Sequence, residues 1–502
     1  MKNSCIGRIA TLVAILFAFA ASALATSYYV STTGNNNNDG LSPSSAWRNV
    51  QYAANHVAAG DTVNILGGVY NETVNIPVSG SASSGPITFQ NYAGQTATLD
   101  GTGLKIPGGQ YGLINIQSQS YITIQGLEIR NYKTSSTKYV PIGIYVTGAG
   151  SNLQFLNNHI HDIQTTARGC NADAFGTAFY GNQAPASLNN ITFSGNELNN
   201  MKTGCSETLT FNGNVDTFTV TSNLIHDDNN IGVDAIGFEG TAPDPAYDQA
   251  RNGYIGENIV YNITSQKNRA YPAGCWCADG IYVDGGTNII IERNLVHNVD
   301  LGIEMASEHK GKVTSYVTAR SNLVYFGNSA GISIGGYANS VGGSDHVTVV
   351  NNTLYKNDGK KTGSGEFQIQ YHATNNIFMN NIVYSTAQGL LVNNYNASTP
   401  NPADLDYNLY FSAGKAGKAT FVWLGKTYQG FSAYLAGTGN DSHSNYADPL
   451  FLNGKTPDLQ VQPNSPAVNA GINLGAGVVG TEDFAGNPRV QGSNIDIGAY
   501  EQ

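Results

Sequence analysis

Charge is scarce in this chain of 502 residues: Asp, Glu, Lys and Arg together make up 12 %. A chain so poor in Lys and Glu and only moderately rich in Leu does not read as a helical protein. With 41 % hydrophobic residues it is also too apolar to stay disordered. Basic residues are the scarcer sign, 24 against 35 acidic, and the net charge of −11 makes nucleic acid and anionic membranes poor partners. Cysteine is rare, five in all, and no His or Cys partners stand at zinc spacing around Cys275-Trp276-Cys277. Long apolar runs are missing except at the start. There, Lys2 and Arg8 precede an apolar stretch from Ile9 to Ala23, and Ala23-Leu24-Ala25 reads as a cleavage site. Residues 1–25 are therefore expected to be an export signal, and the remainder a secreted or periplasmic protein with no membrane span. Losing Cys5 with the signal leaves Cys170, Cys205, Cys275 and Cys277, an even set able to form one or two bridges across long loops in an oxidising compartment.

What is present is a repeat. Short apolar–polar alternations ending in Asn recur as LQFLNN, ITFSGN, FTVTSN, GYIGEN, IIIERN, YVTARSN, VTVVNN and IFMNN. The closing residues are Asn158, Asn196, Asn223, Asn258, Asn294, Asn322, Asn352 and Asn381. Leucine-rich, propeller and α-solenoid repeats carry other signatures. Coils of three short strands with variable turns explain both the basic period and its insertions. The predicted fold is all-β: a right-handed parallel β-helix whose Asn residues tolerate left-handed turns and stack from coil to coil. Ser44 to Ala59 places Trp47, Val50, Ala53, Ala54 and Val57 at helical spacing, which predicts a helix capping the first coil. Residues 26–403 are read as cap and β-helix. Residues 404–502, where the ladder fades, are read as an irregular closing module.

Aligning one strand per coil places the chemistry. The segments ETLTFNGN, DAIGFEG, DGIYVDGG, GIEMASEHKG, GISIGG and EFQIQYH alternate in the same way. If Ile236/Phe238, Ile281/Val283 and Ile303/Met305 point inward, alternation turns Tyr282, Glu239, Asp284 and Glu304 outward. In that register Glu239 and Asp284 are level on adjacent coils, about 5 Å apart. Asp234 and Asp279 stand together at the strand starts, and Glu308, His309 and Lys310 occupy the turn after Glu304. Like charges stacked in this way need a cation, a shared proton or a function.

Three chemistries fit such a cluster. A glycoside hydrolase would use Asp284, Glu304, Glu308 and Glu239 as its catalytic carboxylates, with no cofactor. A polysaccharide lyase would bind Ca²⁺ at Asp234, Glu239, Asp279 and Asp284 and abstract a proton with a Lys or Arg; Lys267, Arg269, Lys310 and Lys312 are the candidates. A non-catalytic surface would bind sugar through tyrosines such as Tyr254, Tyr271, Tyr316 and Tyr337. Asp234, Asp279, Tyr282, His309, Lys310, Trp276 and Arg168 are the candidate substrate-binding residues. The partner expected is an oligo- or polysaccharide, and the chain is expected to be a monomer. His159, His161, His226 and His297 follow ladder strands and read as turn residues.

Two resemblances sharpen this. The segments SYYVSTTGNNNNDGLSPSSAWRNVQYAANHVAAGDTVNILGGVYNETV and NSPAVNAGINLGAGVVGTEDFAGNPRVQGSNIDIGAYE resemble the flanks of many secreted bacterial β-helix proteins, hydrolases, lyases, epimerases and adhesins alike. The stretch ADGIYVDGGTNIIIERNLVHNVDLGIEMASEH resembles β-helix glycoside hydrolases such as the retaining β-xylosidases. That resemblance implies Asp284 as nucleophile and Glu304 or Glu308 as acid/base. The D-G-F-x-x-K strand of family-nine pectate lyases and the motifs of helical polygalacturonases are not matched. Polysaccharide lyase is the rival family.

Overall fold

The computed structural model describes residues 25–385, 388–413, 419–454 and 457–502. The expected signal falls on residues 1–25, of which only Ala25 is among those described. Among the described residues no helix is long and apolar enough to cross a membrane.

The chain winds as a parallel β-helix with three faces. One sheet runs from Ser27–Val30 to Ala403–Asp406, a second from Val74–Ile76 to Lys426–Gln429, and a third from Gly68–Tyr70 to Asn445–Tyr446. A representative coil passes through Thr287–Glu292 in the first sheet, Leu295–Val299 in the third and Leu301–Ala306 in the second. Alternation decides what lies inside: Ile281, Val283, Ile303, Met305, Ile332 and Ile334 are wholly buried and stack in register along the axis. Burying such a side chain stabilises by about 1.5–3 kcal/mol, so each coil contributes its own layer of core.

Between the first and third sheets runs the asparagine ladder. Asn294 donates from its backbone N–H and its Nδ2 to Asn322 Oδ1, at 2.9 and 3.0 Å, and from Nδ2 to the Ile255 carbonyl at 2.9 Å. Its own Oδ1 accepts from Asn258 in the same way. The pattern continues past Asn381 to Asn408, one coil further than the expected fading, and is closed off by Asp441. The left-handed residue of each turn is not the ladder Asn but the one before it: Ser222, Glu257, Arg293, Ser321 and Asn351 all have φ near +55°. The turn and the ladder are thus separate jobs for neighbouring residues.

The capping helix is shorter than its spacing suggests, Val50–Ala54, preceded by a 3₁₀ turn at Pro43–Ser45. Trp47 is taken by the first strand instead, exchanging backbone hydrogen bonds with Tyr29 and Ser31. Glu72 receives the Val50 and Gln51 N–H groups at the helix start, a carboxylate on the positive end of the helix dipole. Trp47, Val50, Ala53, Ala54 and Val57 are all buried, as a cap requires. Cys170 pairs with Cys205 across adjacent coils, and Cys275 with Cys277 inside one loop.

Asn294→Ala removes these bonds from a site with no solvent and leaves neighbouring amides unpaired. Each orphaned group costs ~1–3 kcal/mol, so a loss of about 3–5 kcal/mol is expected. Denaturant unfolding followed by circular dichroism would show it as a lowered midpoint. An unchanged midpoint would mean the ladder is not a main source of coil-to-coil cohesion.

Candidate active site

The outer face of the second sheet carries the carboxylates. The in-register row reads Thr210, Asp234, Tyr282, Glu304, Ser333, Gln368. From Tyr282 onward this is the register expected from sequence. One coil earlier it differs: Val233 pairs with Ile281 and Asp234 with Tyr282, a shift of three residues. Val233 and Ala235 therefore fill the interior, and Ile236 and Phe238 do not. Three is an odd number, so the shift also reverses which residues face out. Asp234 moves from the strand start into the outward row beside Tyr282. Glu239 leaves the strand altogether and approaches from the following loop, where its carboxylate accepts from Asn212 Nδ2 at 2.6 Å. The level pairing of Glu239 with Asp284 is thereby corrected, because a small Ala at position 235 suits the interior against Phe211 better than the bulky Phe238.

Asp284 ends the strand Asp279–Asp284 and lies 5 % exposed. Its Oδ1 accepts the Glu308 N–H at 2.8 Å, which ties the turn after Glu304 to the end of the preceding coil. Asp234, 2 % exposed, accepts the Asp284 N–H at 3.3 Å. Asp279 is 4 % exposed, and its Oδ1 has no hydrogen-bond partner. Buried orphan oxygens of this kind are uncommon and mark a place for a proton or a ligand. Asp300 holds the loop in front, receiving the Ser265 N–H, the Ser265 hydroxyl and the Ala278 N–H.

Burial is the largest influence on Asp234, Asp279 and Asp284. It pushes all three well above the ordinary carboxylate range, with neighbouring carboxylates adding to the effect. Among charges acting on Asp284, Glu308 comes first. Glu304 is pushed up to about 7 by burial, against a hydrogen bond from Ser333, with Glu308 raising it further. Glu308 reaches solvent as a residue, yet protein crowded around its carboxylate, and then Glu239, raise it as well. Among the described residues no Lys or Arg forms an ion pair with Asp234, Asp279, Asp284, Glu304 or Glu308. Each carboxylate raises its neighbours, so ionising one opposes ionising the next, and the group titrates as a coupled set.

Two members lay outside the sequence reading. Glu207 is buried, accepts from the Thr210 hydroxyl at 2.8 Å and is pushed up to about 8, first by burial and then against Glu239 and Asp173. Asp173 accepts from Ser206 at 2.9 Å. Glu207 heads an aligned strand, ETLTFNGN, which was the available signal.

The other predicted residues are dispersed. Tyr282 is buried within the row. His309 packs with its Nε2 buried and unpartnered beside Glu308. Lys310 is exposed and lines a separate groove of about 540 Å³ with Lys312, Asn339 and His372. Trp276 stands half-buried between the paired cysteines with the Lys360 ammonium 5.0 Å from its ring. Arg168 is exposed on its loop. A larger cavity, about 760 Å³, is lined by Lys202, Lys267 and Arg269 and by none of the five carboxylates above. The shallow outer face, where the titratable groups converge, is the better candidate for chemistry.

Comparison with known proteins places the chain. Over 440 residues it is 37 % identical to protein YwoF of Bacillus subtilis strain 168, spanning 88 % of this chain and 91 % of that one. The chain belongs to the family of YwoF. A family model described as Pel9A-like, right handed beta helix region, matches residues 28–182. Pectate lyase PEL9 of Emericella nidulans is 27 % identical over 177 residues, 32 % of this chain and 41 % of that one, so less than half of that relative is spanned. Among solved structures, the GH136 lacto-N-biosidase from Eubacterium ramulus superposes with a TM-score of 0.51 at 14 % identity, over 77 % of this chain and 64 % of that one. XylC in complex with xylose superposes at 0.50 and 12 % identity, over 94 % and 98 %. At these identities the likeness is one of fold, and the fold is the right-handed β-helix shared by carbohydrate-active enzymes.

The raised acids set a pH dependence of stability. A carboxyl whose folded value lies above its unfolded one keeps its proton in the folded chain after the unfolded chain would lose it. The folded state then binds more protons, and stability falls as pH rises. The contribution is whole below about 4.5, the ordinary glutamate value, and is lost as pH climbs through about 7 for Glu304 and about 8 for Glu207. Thermal midpoints should drop between about pH 5 and pH 8.5, and Glu207→Gln should flatten the drop. A midpoint that rises over this interval would contradict the arrangement.

Proposed function

We propose that this protein is a glycoside hydrolase of the cell exterior, working on an oligo- or polysaccharide laid across the outer face of the second sheet. The observation that carries the reading is the contact between Asp284 and Glu308. Glu308 donates its N–H to Asp284 at 2.8 Å, and it heads the charges that raise Asp284. A buried carboxyl and a second, solvent-reaching one that raises it are the kind of pair that glycosidic cleavage uses, one as nucleophile and one as acid. The Glu308 N–H favours the ionised form of Asp284, and Asp279 and Glu304 have the burial to keep a proton each.

In the proposed mechanism Asp284 attacks the anomeric carbon while Glu308 gives its proton to the departing glycosidic oxygen. The bond to the leaving sugar breaks, and a covalent ester to Asp284 forms. Glu308, now ionised and open to solvent, takes a proton from water, whose oxygen displaces Asp284 and restores both groups. Glu304, opposite Tyr282 in the register, holds the neighbouring proton, and loss of that proton sets the alkaline limb of the pH–rate profile. Adjacent carboxyls suit the retaining geometry, for which separations of about 5–5.5 Å are usual.

Calcium-dependent elimination on a uronate polymer is the second reading, favoured by the likeness to pectate lyase PEL9. The buried carboxyls of Asp234, Asp279 and Asp284, with the orphaned Asp279 oxygen, are hard oxygen donors of the type Ca²⁺ takes. Glu239, turned to Asn212 in its loop, is the weakest member of the calcium set expected from sequence.

Product analysis on neutral and acidic polysaccharides tests the choice. Hydrolysis yields reducing ends without an unsaturated uronide and persists in chelator; elimination yields the unsaturated product and stops. Asp284→Asn should lower kcat/KM by about 10³-fold or more with the fold intact. Glu308→Gln should lose about 10²–10⁴-fold on natural leaving groups and much less on an activated aryl glycoside. Full activity in Asp284→Asn would remove the nucleophile assignment.

A further inference from the structure

We propose that Glu128, His159 and His161 form a site for a divalent transition metal of the zinc class, with Glu197 as fourth ligand. It lies on the outer face of the third sheet, away from the carboxylate cleft. Strand His159–His161 buries Ile160 and turns both imidazoles outward, stacked with centroids 4.3 Å apart. The parallel register sets Glu128 of the preceding coil and Glu197 of the following one directly on either side of His159. One donor atom from each of Glu128, His159 and His161 falls within 4.8 Å of the other two. Tetrahedral zinc ligands at 2.0–2.2 Å stand roughly 3.3 Å apart, so the three would draw together around an ion, with His159 Nε2 giving up its 3.0 Å contact with Asn199 Nδ2. Glu197 Oε1 lies 3.8 Å from His159 Nε2.

His161 supplies the observation that asks for a cation. Its Nδ1 is 3.0 Å from Asp162 Oδ2, and its Nε2 is 3.1 Å from Glu128 Oε1. A neutral imidazole carries one N–H. When Nδ1–H serves Asp162, the Nε2 lone pair faces Glu128 Oε1 at 3.1 Å, acceptor against acceptor, although Arg130 Nη1 also binds that oxygen at 2.7 Å. A metal ion there turns two facing acceptors into two ligands. Asp162 then becomes the carboxylate that fixes the tautomer of a metal-bound histidine, the usual support of such sites. Glu128 is oriented from behind, by Thr98 on one oxygen at 2.5 Å and Arg130 on the other at 2.7 Å. Arg130 divides its charge with Asp100, and Lys133 pairs with Asp162. Two imidazoles with two carboxylates select zinc-class ions over Ca²⁺ and Mg²⁺, which prefer all-oxygen shells.

The rival cation is a proton, an imidazolium at His161 bridging Glu128 and Asp162, and one titration separates the two. Metal-stripped full-length protein is titrated with ZnSO₄ by calorimetry, with elemental analysis of the dialysed product. We expect one Zn²⁺ per chain, undisturbed by excess CaCl₂ and retained in Asp284→Asn. His161→Ala and Glu128→Gln should each weaken binding at least tenfold, with circular dichroism unchanged. Absence of stoichiometric Zn²⁺ would overturn the site, as would binding that survives both substitutions or disappears in Asp284→Asn.

Discussion

Parallel stacking in register governs everything else in this molecule. Each coil lies about 4.8 Å above the last, and the buried Asn ladder resists slippage because a one-coil error would strand its amides. Residues at equal positions are therefore forced together whether or not they attract. Aliphatic side chains gain from that enforced contact and form the core. Aromatic rings gain too: His226, Tyr261, His297 and Tyr325 run as a column with planes parallel to within 5°. Carboxylates lose, and a face that stacks them nonetheless must hold protons or cations.

The two acid-bearing faces answer that demand differently. On the third sheet the carboxylates alternate with His and Arg, so Glu128, Glu197 and Asp162 each have a basic partner within hydrogen-bonding reach. On the second sheet the partners are other carboxyls, hydroxyls and amides, with no ion pair to Lys or Arg among the described residues for the five acids around Asp284. Burial without compensation is costly unless the groups stay neutral. Protonated acids that can release or accept a proton near neutrality are the natural product of that arrangement.

Legibility in the sequence follows the same division. Period-two alternation and Asn spacing are one-dimensional signals, so the β-helix, its buried pairs from Ile281 to Ile369 and the row through Tyr282 and Glu304 could be read directly. The register of the Asp234 coil could not. DAIGFEG and DGIYVDGG align by letter, but interior volume decides, and Val233 with Ala235 fits beneath Ile281 where Ile236 with Phe238 was expected. That information lies in the packing between coils. Glu207 escaped for a related reason: it stands ahead of its strand, and only the turn geometry brings it under Thr210. The histidines after the ladder strands looked like turn residues because periodicity cannot tell a strand of three residues from a turn. His159–His161 and Leu224–His226 are strands.

The register shift also bears on how such a site is assembled. With Asp234 three residues further along its coil, its carboxylate reaches the Asp284 N–H, and the chain beyond it is free to leave the sheet. That departure is the loop that carries Glu239 back toward Asn212. Phe238, released from the core with φ near +73°, packs under Lys312 at the edge of the same face. One small residue, Ala235, therefore sets three things at once: the core layer, the place of Asp234 in the row and the departure of the loop that follows. Replacing it by a larger aliphatic side chain would press against Phe211 and Val283 inside the coil. The strain would pass to Asp234, which faces outward on the same four-residue strand.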